Sequence, residues 1–251
     1  MLILRSPREI ERIRAAGKIA ADTLTLLHRN AQPGVTTKAL DTMAEEYIRS
    51  CGAIPACKGY YGFPASVCIS VNEAVVHGIP SDDIVLREGD IVSLDLVVQK
   101  DGFMGDTAMT IGIGTIDEAS AQLLRVTEES LAAGIAAAVV GNRVGDIGHA
   151  VESYVRPYGY GVVEDYVGHG IGTEMHAEPE VPNYGIPGTG DRLEAGMVLC
   201  IEPMINMGTK KVRTLRDGWT VVTRDKKRSA HFEHTLAITE NGPVILTERS
   251  C

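Results

Sequence analysis

Ile91-Val92-Ser93-Leu94-Asp95-Leu96-Val97-Val98 is aliphatic apart from one serine and one aspartate, and Asp101-Gly102 follows it as a hairpin turn signal. The run predicts a buried strand, with Asp95 in its middle and a second acid, Asp106, across the turn. Moving a carboxylate into apolar surroundings is costly unless a charge or a metal compensates it, so two of them across one hairpin call for a cation. The rest of such a site can be sought further along. His169 lies in Gly168-His169-Gly170-Ile171-Gly172, Glu202 in Val198-Leu199-Cys200-Ile201-Glu202-Pro203, and Glu233 in Ser229-Ala230-His231-Phe232-Glu233-His234-Thr235. Four carboxylates and one imidazole form an oxygen-rich, hard-to-borderline set, suited to two divalent ions that share carboxylates.

Upstream of that strand, Ser6-Pro7-Arg8-Glu9 joins a capping box to a proline at the first helical position, and predicts a helix running to about Asn30. Pro33-Gly34 breaks it. A second helix carries Leu40, Met43, Ala44, Tyr47 and Ile48 and is closed by Gly52; strands follow over 66–71 and 91–113. Shifting the chain by 107 positions recovers the same plan. Leu24, Gly34, Glu45, Tyr47, Arg49 and Gly52 fall on Leu131, Gly141, Glu152, Tyr154, Arg156 and Gly159, and the same offset lays Asp95 on Glu202. The expectation is one catalytic domain, 1–251, built as an internal pseudo-repeat of roughly 1–114 and 115–251. Halves packed about a pseudo-two-fold axis bring their equivalent strands, each with a carboxylate, to a shared central cavity.

Composition narrows the function classes. A chain of 251 residues, 44% hydrophobic, has the makeup of a folded soluble protein, and its net charge of −9 argues against DNA or other nucleic-acid phosphate as the main partner. Basic clusters at Arg5, Arg8, Arg12 and Arg14 and at Lys226-Lys227-Arg228 read first as solvated surface. Five cysteines, Cys51, Cys57, Cys68, Cys200 and Cys251, are odd in number and without metal-site spacing, so free thiols in a reducing compartment are expected. Met1-Leu2-Ile3-Leu4 is too short an apolar run for a secretory signal, and no later stretch approaches a membrane span. A cytoplasmic protein without membrane association is the expectation.

Each candidate ligand also has a bland reading. A strand aspartate can pair with an arginine, and a histidine between glycines is more often a hydrogen-bonded core residue than a ligand. The joint pattern is what favours metal. No HExxH, GxSxG, Walker A or GxGxxG motif offers a competing chemistry, and Cys57 and Cys68 read first as small buried hydrophobes. His77, in Val75-Val76-His77-Gly78-Ile79-Pro80, ends a strand-like run at a turn, and His176 lies seven residues beyond His169. His28, His149 and His234 read as structural or surface residues.

The order Asp95, Asp106, His169, Glu202, Glu233, with Asn72-Glu73, His77-Gly78-Ile79-Pro80 and Phe232-Glu233-His234-Thr235 around it, resembles the type I methionine aminopeptidases over nearly the whole chain. The resemblance implies an α+β, two-layer pita-bread fold, with two pseudo-symmetric halves and a central antiparallel sheet covered by helices. It further implies that Asp95 chelates one metal, that His169 binds the other, and that Asp106, Glu202 and Glu233 complete the pair. Two divalent ions follow, with manganese, iron(II), cobalt and zinc all acceptable to such donors. By the same resemblance His176 hydrogen-bonds the scissile carbonyl, His77 orients the backbone near the leaving nitrogen, and Asn72 and Ser229 hold a monovalent cation. Glu202 is the candidate general base. The side-chain pocket is assigned to Cys57, Tyr60, Phe63, Cys68, Met175 and Trp219, an apolar, sulfur-tolerant set.

Three positions depart from the family pattern: Phe63 stands for a frequent Tyr, Met175 for Phe, and His231 for a usual Gln. The chain has no room for the N-terminal domain of aminopeptidase P or prolidase, nor for the helical insertion of the type II enzymes, so the short type I form is expected; a monomer is expected as well. The implied activity is removal of N-terminal methionine from peptides and nascent chains when the next residue is small, with the ribosome surface a candidate partner. Two rivals stay open. A same-fold aminopeptidase or dipeptidase of other specificity would differ at Phe63 and Met175. A non-catalytic peptide-binding homologue typically loses ligands, whereas all five candidates are present here.

Overall fold

The two residues of the hairpin turn, Asp101 and Gly102, both take positive φ, 49° and 80°. That is the twist a two-residue turn needs to return a strand on itself. It joins β2 (Ile91–Lys100) to β3 (Phe103–Gly112) over a full-length antiparallel ladder. The computed structural model describes residues 2–249, so Cys251 lies outside the described residues.

β2 and β3 sit in a nine-stranded sheet whose described pairings are all antiparallel. β1 (Cys68–Val71) pairs with β2; β6 (Glu233–Thr239) pairs with β3 and with β5 (Val198–Ile201), and β5 pairs with β4 (Gly168–Gly170). Two short strands, Ile54–Pro55 and Ala177–Val181, close the ends of the path, and Gly242–Ile245 pairs with β6. The β3–β6 pairing joins the early part of the chain to the late part.

Alternation along β2 separates two layers. Val92, Leu94, Leu96 and Val98 form one core with Ala20, Leu24 and Leu27 of α1 (Pro7–Asn30) and Leu40, Ala44 and Ile48 of α2 (Thr37–Ser50). Leu199 and Ile201 of β5 and Leu236 and Ile238 of β6 pack in the same way against α3 (Glu118–Ala137) and α4 (Val144–Val155), through Leu131, Ile147 and Val151. A leucine or isoleucine buried this completely contributes about 1.5–3 kcal/mol, so these side chains fix which face of each strand meets the helices. The odd-numbered residues of β2, Asp95 and Val97 among them, are left for the other face. The architecture is the α+β one expected, an antiparallel sheet covered by helices.

The helix starts are as the sequence chemistry predicts. Ser6 Oγ accepts from the Glu9 N–H at 3.4 Å and the Glu9 carboxylate accepts from the Ser6 N–H at 2.9 Å, closing the capping box of α1. α1 crosses β3 at two glycines, because a β-carbon on Gly105 would collide with the Gly17 backbone. Thr37 and Val144, which open α2 and α4, are separated by the same 107 positions as Ile91 and Val198, which open β2 and β5.

Candidate metal centre

The ladder register places Asp95 opposite Ala108 and Asp106 opposite Val97, so the two aspartates are diagonal neighbours on one face rather than a directly opposed pair. Ala108 is also the partner of Glu233 across β3 and β6. Glu202 follows β5 directly, two residues beyond Cys200 on the same face. His169 sits in β4, where its Nδ1 bonds the Gly170 carbonyl at 3.0 Å. A carbonyl can only accept, so Nδ1 carries the proton and Nε2 is bare. That bare nitrogen lies 3.7 Å from Asp106 Oδ2 and 3.5 Å from Glu202 Oε1.

All five candidate ligands therefore line one cavity of about 370 Å³, with His77, His176 and the six residues assigned to the side-chain pocket. Phe63 and Trp219 meet edge to face at 5.2 Å, and Cys57, Cys68, Val97 and Met175 belong to the same apolar cluster. His77 is held at φ 58° against Tyr166 and Trp219. Non-glycine residues enter that region only when their surroundings over-determine them, and such residues gather at functional sites. Asn72 and Ser229 meet elsewhere. The Ser229 N–H donates to the Asn72 carbonyl at 2.9 Å, the Asn72 amide group donates to Asp90 at 2.8 Å, and Ser229 Oγ donates to the Ile205 carbonyl at 3.3 Å.

Whether these residues suit a metal can be judged from what they lack. Asp106 Oδ1 and Glu233 Oε1 are buried with no hydrogen-bond partner among the described residues, and no described Lys or Arg forms an ion pair with any of the four acids. Burial, then the mutual repulsion of the acids, pushes the Asp106 and Glu233 carboxyls well above the usual range. Burial and the Asp95 charge do the same to Glu202, and burial raises Asp95. His169 is pushed down to about 3 by burial and by His176, which keeps its imidazole neutral and available as a donor. Ligand atoms of Asp106, His169, Cys200 and Glu233 lie within 4.8 Å of one another. Orphaned acceptors, crowded acids and a neutral imidazole fit divalent cations.

Three features escaped the sequence reading. Cys200 reaches the floor of the site, its Sγ 3.4 Å from Thr235 Oγ1 and its thiol pushed up by burial and by Glu233 and Asp106. Its position two residues before Glu202 was the available signal. Tyr60 is more than a pocket wall, since its hydroxyl lies 2.9 Å from His176 Nδ1. His231, noted only as a departure, is buried beside Glu202.

A helix-covered antiparallel sheet with a carboxylate-rich donor cluster on its inner face defines a metallopeptidase class, and the match to metallopeptidase family M24 spans residues 11–240. The chain belongs to that family. It is 55% identical over 247 residues to the methionine aminopeptidase of Clostridium acetobutylicum, covering 98% of this chain and 99% of that one. It is 50% identical to methionine aminopeptidase 1 of Bacillus subtilis with the same coverage. The methionine aminopeptidase structure from Thermotoga maritima superposes with a TM-score of 0.98 at 45% identity, over 99% of this chain and 100% of that one. The fold is thus the pita-bread fold of these enzymes.

Proposed function

We propose that the protein removes N-terminal methionine from peptides and nascent chains by metal-dependent hydrolysis of the first peptide bond, acting when the second residue is small. The observation that carries this is the joining, in one cavity, of a metal-donor floor with an apolar, sulfur-containing wall, a lining suited to a thioether side chain. Asp95, Asp106, His169, Glu202 and Glu233 would hold two divalent ions. Manganese, iron(II), cobalt and zinc all suit this donor set. When bound, the ions lower the pKa of the attacking water and polarise the scissile carbonyl.

The chain's own groups do the remaining work. Glu202, partly open to the cavity, accepts the proton of the attacking water and delivers it to the leaving amine nitrogen. Tyr60 donates its hydroxyl proton to His176 Nδ1, which places the His176 proton on Nε2 as a donor to the developing oxyanion. Burial lowers the pKa of His176, so the ring acts as a neutral donor. His77, lowered to about 4 by burial and by His231 and His176, is likewise neutral, and its fixed backbone holds it ready for the substrate chain near the leaving nitrogen. Phe63, Met175 and Trp219 enclose the methionine side chain and exclude water from it.

The peptide series that tests this reading is Met-Gly-Met, Met-Ala-Met, Met-Lys-Met and Leu-Gly-Met with manganese-loaded protein. The first two are expected to be cleaved at comparable rates. Met-Lys-Met is expected to be poorer by roughly 10-fold or more, because a long second side chain must fit beside the His77 and His176 walls. Equal rates on Leu-Gly-Met and Met-Gly-Met would point to a broader aminopeptidase. A preference for Leu would overturn the pocket assignment.

A second experiment separates the two neighbouring histidines, whose rings meet edge to face at 4.3 Å. His176→Ala is expected to lower kcat by roughly 10² to 10³-fold with metal content unchanged, as for loss of one oxyanion donor. His169→Ala is expected to weaken metal binding itself. Metal analysis and steady-state rates on both variants decide it; the reverse pattern would exchange their roles.

The cellular setting follows the same reading. The thiols of Cys51, Cys57, Cys68 and Cys200 are free, which supports a reducing, cytoplasmic compartment, and no described helix is long and apolar enough to cross a membrane. A monomer that meets nascent chains at the ribosome surface suits such a substrate.

A further inference from the structure

The Glu202 carboxylate is bracketed by two imidazoles. His169 Nε2 faces Oε1 at 3.5 Å, and on the other oxygen His231 Nε2 faces Oε2 at 3.6 Å. The His231 ring is 1% exposed, and neither of its nitrogens has a hydrogen-bond partner among the described residues. Buried imidazoles nearly always satisfy at least one nitrogen, so a bare ring so close to a carboxylate oxygen needs an explanation.

The backbone that carries the ring is held on both sides. The His231 N–H donates to Thr110 Oγ1 at 2.8 Å, and the His231 carbonyl accepts from the same hydroxyl at 2.8 Å. Thr110 is bonded in turn to Ser93 Oγ at 2.8 Å on β2. Across the neighbouring strand His231 is paired with Met204, two residues beyond Glu202. These bonds fix the strand position from which the ring projects beside the acid. The Glu202 side chain is 14% exposed and that of His231 2%, and 3.6 Å lies just outside hydrogen-bond reach, so a small shift of the carboxylate closes the gap.

We propose that His231 is a positioning residue for Glu202: in its Nε2–H tautomer it donates to Oε2 and fixes the plane of the carboxylate, leaving Oε1, on the His169 side, to face the metal donors and the attacking water. The alternative role, as a sixth metal ligand, fits the geometry less well. His231 faces the Glu202 oxygen opposite the one that His169 faces. The proposal rests on the peptidase reading in taking Glu202 as the base.

The test compares His231→Gln, which keeps an N–H donor, with His231→Leu, which keeps bulk without one. Both are assayed with Met-Gly-Met and manganese, with ion stoichiometry measured by calorimetry, and the zinc-loaded parent, which is diamagnetic, is labelled with ¹⁵N-histidine for NMR. His231→Leu is expected to lose about 10- to 100-fold in kcat with KM and ion count kept, and His231→Gln to recover most of the loss. In the parent, His231 should show a protonated Nε2 and a bare Nδ1, with the Nε2 signal displaced by Glu202→Gln. An undiminished kcat in His231→Leu, an unprotonated Nε2, or loss of an ion from His231→Gln would overturn the proposal. If His231→Leu fails to fold, the Gln variant and the NMR signal still decide. A parent inactive on every peptide would sink the peptidase reading instead, and the NMR arm would then judge the hydrogen bond alone.

Discussion

Asp106→Ala is expected to retain fewer than two ions per chain and to hydrolyse Met-Gly-Met about 10³-fold or more slowly than the parent, the loss of several kcal/mol of metal-derived stabilisation. The residue has no freedom to be replaced by a neighbour. Its backbone N–H donates to Thr235 Oγ1 at 3.0 Å and its carbonyl accepts from the same hydroxyl at 2.7 Å, so the carboxylate leaves the strand in one direction only. It is 4% exposed, and its Oδ1 has no partner among the described residues. Unfolding can be separated from ligand loss by working without metal. Glu233 and Asp95 raise the Asp106 carboxyl by repulsion after burial has done so, so removing the acid relieves strain in the metal-free cluster. The metal-free variant should melt no lower than the metal-free parent, while added manganese stabilises the parent more. Two tightly bound ions and a normal rate in Asp106→Ala would refute the dinuclear centre.

Glu202→Gln carries the second large effect. The amide keeps an oxygen donor and nearly the same volume but cannot take the proton of the attacking water, so kcat should fall by roughly 10² to 10⁴-fold with KM much less changed. Glu202 lies between His169 and His231, and the amide can still be held there. Metal analysis of the same preparation is the control. A variant that loses its ions along with its rate would make Glu202 a ligand first and remove the evidence for proton transfer; a variant of normal rate would remove the base.

The parts of this site that were legible in the sequence are those in which a residue type contradicts its local surroundings. Asp95 in an aliphatic strand is such a contradiction, and the 107-residue offset to Glu202 doubled it. The Asp101-Gly102 turn and the Ser6–Glu9 capping box are local chemistry, readable from four residues at a time. What could not be read depends on pairing at long range. Tyr60 and His176 are 116 residues apart, and neither carries a local mark of the other. The diagonal placement of Asp95 and Asp106 depends on how the hairpin closes, where one residue more in the turn would shift every partner. Cys200 read only as one of five free thiols; its neighbours Leu199 and Ile201 are core residues, and only the fold shows that it points the other way. The pocket of Phe63, Met175 and Trp219 was legible only through family likeness, since three apolar side chains so far apart have no common pattern.

The pairing of β3 with β6 has a consequence for how the molecule comes into being. Thr107 is matched with His234 and Ala108 with Glu233, so the central seam of the sheet is a contact between segments more than a hundred residues apart. Contacts of that span are slow to form, because the chain closes a long loop before the pairing can reward it. During synthesis, Asp95 and Asp106 emerge long before Glu233, and the strand of Asp106 has an open edge until β6 arrives. On the proposed ligand set the donors come together only when this seam closes, so ion capture is expected to follow that closure rather than to nucleate it. An ion supplied earlier would meet only part of the proposed site, with Glu233 still missing from it.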